Sequence, residues 1–96
     1  MKKNSSGRYE IQQLDSCGAV GRVLKSWNSL KWLCEEGLKA NYFFCGRVRV
    51  YDNATGESIS SNTAVNIANG LVTIDDLVEW GDIPPDMVKE MADINQ

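Results

Sequence analysis

Ninety-six residues make one domain's worth of chain, with 43% hydrophobic content and three tryptophans to fill a core. That composition excludes a chain disordered throughout, and no window reaches the roughly 18 uninterrupted apolar residues of a membrane span. The net charge of −3 divides unevenly: residues 1–50 hold nine Lys/Arg against four acids, and residues 51–96 hold nine acids against Lys89 alone. Such asymmetry predicts opposed electrostatic faces or a head-to-tail pairing of chains.

Residues 1–7 read as a flexible N-terminus and 8–96 as a single α+β domain, undivided by repeats or linkers. Lys2 and Lys3 precede no apolar stretch of the kind a signal peptide carries. Cys17, Cys34 and Cys45 are odd in number and form no Cys-x-x-Cys pair, which predicts free thiols in the cytoplasm.

In chain order, Arg8 to Leu14 reads as a short edge strand with weak alternation, followed by Asp15 or Ser16 as a helix cap. Val20, Val23, Leu24, Trp27 and Leu30 then fall at helical spacing, which predicts a helix over about 18–27. A second helix is expected over about 29–39, with Leu33, Cys34 and Leu38 inward and Glu35–Lys39 paired outside. Gly37 weakens it by about 1 kcal/mol relative to Ala.

Tyr42 to Tyr51 alternates as a half-buried strand, with Phe44, Val48 and Val50 on one face and Phe43, Cys45, Arg47, Arg49 and Tyr51 on the other. A turn over 52–57 and a return strand Ser58–Ser60 complete a β-hairpin over about 42–60. This hairpin is expected in a short antiparallel sheet packed against several short helices. Asn62 or Thr63 opens one helix, which Gly70 ends. Thr73 to Asp76 forms a near capping box for a helix through Trp80, closed by Gly81. Pro84-Pro85 starts a last helix, over about 85–93. Trp27, Trp32 and Trp80 are expected in the core.

The chain has no histidine, the commonest general base and metal ligand. Of the cysteines, Cys17 alone lies near a predicted helix start that would favour a thiolate; Cys34 and Cys45 read as buried, inert thiols. No metal-ligand spacing, phosphate-binding loop or calcium loop occurs. Catalysis, cofactor and metal are therefore not expected.

Two candidate binding surfaces remain. Asp75, Asp76, Glu79, Asp82, Asp86 and Glu90 form an acidic C-terminal face, continued by Asp93. On one continuous helix, Asp75, Glu79, Asp82 and Asp86 would stand about 5–6 Å apart. That interval is comparable with phosphate spacing, so the stripe could occupy a nucleic-acid site on a partner. Arg47, Arg49 and Tyr51 form a basic and aromatic strand face, extended by Phe43, Lys25 and Lys31, which would suit phosphates and bases.

Together these residues predict a small non-enzymatic interaction protein that inhibits or regulates a larger protein or complex through its acidic helical face. The profile has a compositional likeness to small phage and mobile-element proteins such as anti-CRISPR, anti-restriction and antirepressor proteins. The alternatives are a nucleic-acid-binding module using the arginine face, and a homodimer that pairs its basic hairpin with its acidic helices. A membrane partner is not expected.

Overall fold

The structure is a computed structural model that describes residues 7–89. Residues 1–6, most of the expected flexible terminus, lie outside them, as do residues from 90 onward, which include Glu90 and Asp93. The fold is α+β, as the sequence predicts. Strands β1 (Tyr9–Leu14), β2 (Val20–Trp27), β3 (Val48–Asp52) and β4 (Ser58–Ser60) form one antiparallel sheet in the order β2-β1-β3-β4. Helices α1 (Leu30–Lys39), α2 (Ser61–Asn69) and α3 (Ile74–Glu79) pack with it, and single 3₁₀ turns occupy Tyr42–Phe44 and Pro85–Met87. No described helix is long and apolar enough to cross a membrane.

The helix expected over 18–27 is β2. Asp15 caps a tight turn rather than a helix: its carboxylate accepts from the amides of Cys17 and Ala19, and the strands then pair antiparallel. Register shifts in the β1–β2 ladder explain the helical-looking spacing. Val20 pairs with Leu14 and Val23 with Gln12, so Gly21 is an extra residue that puts two valines three apart on one face. A second extra residue, Leu24, separates Val23 from Lys25. A bulged strand thus imitates a period of 3.6.

β1 is central rather than an edge, and its residues Tyr9 to Gln12 are all buried. Ile11 faces α1, where Gly37 lets helix and sheet approach closely: a Cβ there would sit 2.7 Å from Ile11 Cδ1 and from the Phe43 ring. Gly37 therefore serves packing despite its cost in helix propensity. Around this contact lie Leu33, Cys34, Val50, Ile59, Ala64 and Ile67, all buried. Outside, α1 pairs Lys31 with Glu35 and Glu36 with Lys39, in place of the expected Glu35–Lys39 pair.

The strand expected from residue 42 begins only at Val48. Residues 42–44 coil as a 3₁₀ turn, which reverses the expected faces: Phe43 is buried and Phe44 is 65% exposed. Cys45 is likewise exposed. The hairpin through 52–57 forms, and Ser60 caps α2, its hydroxyl accepting from the Thr63 amide, in place of Asn62 or Thr63. Thr73 and Asp76 complete the capping box of α3. Trp27, Trp32 and Trp80 are 48%, 37% and 59% exposed, so the core is built without them.

Arg8 and Asp52 tie the distant segments together. The guanidinium meets the carboxylate through Nε and Nη2 at 2.8 and 2.9 Å. It also donates to the carbonyls of Asp86 and Lys89. Asp52 is fully buried, and it accepts further from the Ala54 amide and the Thr55 hydroxyl. Burial pushes the Asp52 carboxyl up, but the bonds from Arg8, Ala54 and Thr55 outweigh it and hold the group below its ordinary value. Next to this pair, the Tyr9 hydroxyl donates to the Met87 carbonyl, and burial raises the phenol's pKa.

Gly37→Ala should destabilise the fold by about 1–2 kcal/mol in urea denaturation, since overpacking outweighs the helix propensity gained. Asp52→Asn should cost roughly 3 kcal/mol, because it strands a largely buried guanidinium. Asp52 has a lowered folded-state pKa, so its contribution is complete above the unfolded value near about 4 and is lost as pH falls through the folded value. The Asn variant should therefore show a flatter loss of stability in acid, measured by denaturation across pH.

Candidate functional site

The acidic residues do not share one helix. Asp75 and Glu79 stand four apart on α3, but the helix stops at Glu79 and Gly81 takes a φ of 88°. The chain then folds back: the amides of Asp82 and Ile83 both donate to the Leu77 carbonyl. Leu77, Ile83 and Met87 are buried and anchor the segment, leaving Asp82 and Asp86 exposed. The four residues are thus divided between a helix and the loop after it, with the break at Gly81 that the sequence carries. The expected helix over 85–93 is, within the described residues, a single 3₁₀ turn at Pro85–Met87.

The carboxylates differ in what they already do. Asp76 is half-buried, and it accepts from the Thr73 amide as part of the cap. Asp86 lies 3.8 Å from Lys89 Nζ. Among the described residues Asp75, Glu79 and Asp82 form no ion pair. Between Glu79 and Asp82 stands Trp80, its indole 59% exposed. Sequence reasoning missed this residue as a surface feature. No local signal in the sequence distinguished it from a core indole.

The arginine face is arranged differently. Arg49 and Tyr51 lie opposite Gln12 and Glu10 on the sheet face turned away from α1. Arg49 Nε donates to Gln12 Oε1 at 2.8 Å, and Gln12 Nε2 donates to Glu10 Oε1 at 2.9 Å. Asn53 Nδ2 reaches Glu10 Oε2 at 2.8 Å, and the Arg49 guanidinium lies 5.2 Å from the centre of the Tyr51 ring. This network uses one arginine donor and places a carboxylate inside the basic patch. Arg47 sits before β3, and its guanidinium reaches the Ser16 carbonyl instead. Phe43 is buried in the core, and Lys31 pairs with Glu35 on α1, so neither joins the network.

Lys25 belongs to a third grouping. Its ammonium lies 5.4 Å from the centre of the Trp32 ring, which in turn meets Trp27 at 5.2 Å with the planes tilted by 43°. A cleft of about 390 Å³ opens between α1 and the start of α3. Ile67, Val72 and Ile74 form its apolar walls, with Lys31 and Asp75 among its polar lining.

Burial pushes the Cys34 thiol up to about 12, which leaves it without thiolate character at neutral pH. Cys17, the candidate thiolate of the sequence, is exposed in the β1–β2 turn rather than at a helix start. Among the described residues no three Cys, Asp or Glu side chains gather as a metal would require. No family model, curated protein or solved structure matches the chain.

Iodoacetamide should alkylate Cys17 and Cys45 in the native protein and reach Cys34 only after unfolding. Mass spectrometry of the two states would show two adducts and then three.

Proposed function

We propose that the protein is a non-enzymatic interaction protein, an inhibitor or regulator that engages a basic site on a larger protein through α3 and the segment following it. The observation that carries this reading is Trp80, exposed between the carboxylates of Glu79 and Asp82, which form no ion pair among the described residues. Binding energy concentrates in aromatic anchors that enter a pocket, with charges around them setting orientation and rate. An exposed indole with Glu79 and Asp82 on either side in the chain, and Asp75 one turn before Glu79, has that composition, and its complement is an apolar pocket rimmed by Lys or Arg. Asp76 supports the surface indirectly, by capping the helix that displays Asp75 and Glu79. Asp86 adds charge at the far end, beside Lys89. The exposed, unpaired thiols of Cys17 and Cys45 favour a reducing compartment, so we place the encounter in the cytoplasm.

Affinity capture with the tagged protein from its host's lysate, with nuclease added, should enrich one stoichiometric protein. Trp80→Ala should weaken binding to that protein by roughly tenfold or more. Asp75→Lys/Glu79→Lys/Asp82→Lys should do the same, while Trp80→Ala leaves stability within about 0.5 kcal/mol, as expected for an exposed side chain. Unchanged affinity in both variants would refute this reading. Enrichment abolished by nuclease would instead move the function to nucleic acid and to Arg47, Arg49 and Tyr51.

A further inference from the structure

The longest strand in the sheet is also an open edge. β2 pairs with β1 on one side and with no described strand on the other. An edge strand presents unpaired N–H and C=O groups, a template for another strand. The opposite edge, β4, is three residues long and runs directly into α2, which leaves little to pair with. On β2, Val20, Val23 and Trp27 are 46%, 41% and 48% exposed. At its end the Trp27–Trp32 pair adds an aromatic surface outside the core.

The charges on this edge select its occupant. Arg22 and Lys25 are the ionisable residues of β2, and it carries no carboxylate. A second copy fits poorly, because pairing β2 with itself gathers four cations and no acid into one ladder. The register shifts at Gly21 and Leu24, together with the cations, also hinder a generic apolar strand. An extended segment with acidic side chains removes the charge obstacle: its carboxylates face Arg22 and Lys25, and its backbone pairs along the stretches of β2 on either side of the extra residues. The geometry points to β2 as the acceptor for an added strand, an acidic extended segment of another protein that sets an apolar side chain against Trp27 and Trp32. Affinity would come from main-chain hydrogen bonds and selectivity from charge. This surface is basic where that around Trp80 is acidic, so the protein could hold two partners of opposite charge at once.

A fluorescein-labelled peptide of alternating Glu and Val, ended by Phe, tests this by anisotropy against the full chain. Two controls are the same peptide with Lys for Glu, and one N-methylated at alternate residues to remove backbone donors while keeping its charge. The acidic peptide should bind, and the lysine peptide should not. N-methylation should weaken binding by roughly tenfold or more, as expected when several main-chain hydrogen bonds are lost. Arg22→Gln/Lys25→Gln should weaken it comparably, and Trp80→Ala should leave it unchanged. No binding of the acidic peptide, or equal binding by either control peptide, would overturn the assignment. The peptide comparison uses the unaltered protein, so it stands even if the double variant fails to fold. A loss of peptide affinity in Trp80→Ala would refute the independence of the two surfaces.

Discussion

The Arg8–Asp52 pair is the constraint on which the arrangement of the rest depends. It joins the residue that leads into β1, the turn that leaves β3, and the backbone at Asp86 and Lys89. A carboxylate with no solvent exposure is costly unless its acceptor sites are filled, and the guanidinium, the Ala54 amide and the Thr55 hydroxyl fill them. Satisfying that one group therefore orders the β3–β4 turn, secures β1 beside β3, and pins the C-terminal segment across the end of the sheet.

With that segment pinned, the positions of the surfaces follow. Ile83 and Met87 anchor residues 82–89, and Tyr9 fixes the Met87 carbonyl. Asp82 and Asp86 are then turned outward, and α3 ends with Trp80 facing solvent. On the sheet itself, Ile11 and Val50 face α1 while Glu10, Gln12, Arg49 and Tyr51 form a polar network on the reverse side. The network occupies the Arg49 Nε and sets the Glu10 carboxylate beside it, which makes that face a poorer candidate for phosphate binding than a strand bearing arginines suggests. The charge asymmetry between chain halves thus survives folding in part: cations remain on β2, while Arg49 donates to Gln12 and Arg47, just before β3, to the Ser16 carbonyl.

Much of the fold was legible in local chemistry. The box at Thr73, the stop at Gly70 and the turn over 52–57 use short-range hydrogen bonds whose partners lie within five residues. The acidic residues were recognisable as a group for the same reason, being close in sequence. The misread elements depend on partners far away. β2 looked helical because each extra residue in its ladder is defined only against β1, and Phe43 and Phe44 exchanged faces because the close contact at Gly37 draws Phe43 inward.

The sequence by itself determined an α+β chain with opposed charge halves, capped helices and a hairpin, because those properties are set by side chains acting on nearby backbone. Only the tertiary structure decided that β1 is central, that the cationic β2 is an edge among the described strands, and that the tryptophans lie at the surface. Hydrophobicity states how much a side chain gains from burial, and not whether room remains for it. Here the sites beside β1 and α1 are taken by Leu33, Phe43, Val50, Ile67 and their neighbours, packed closely enough that Gly37 has no space for a methyl group. The larger indoles were left at the surface.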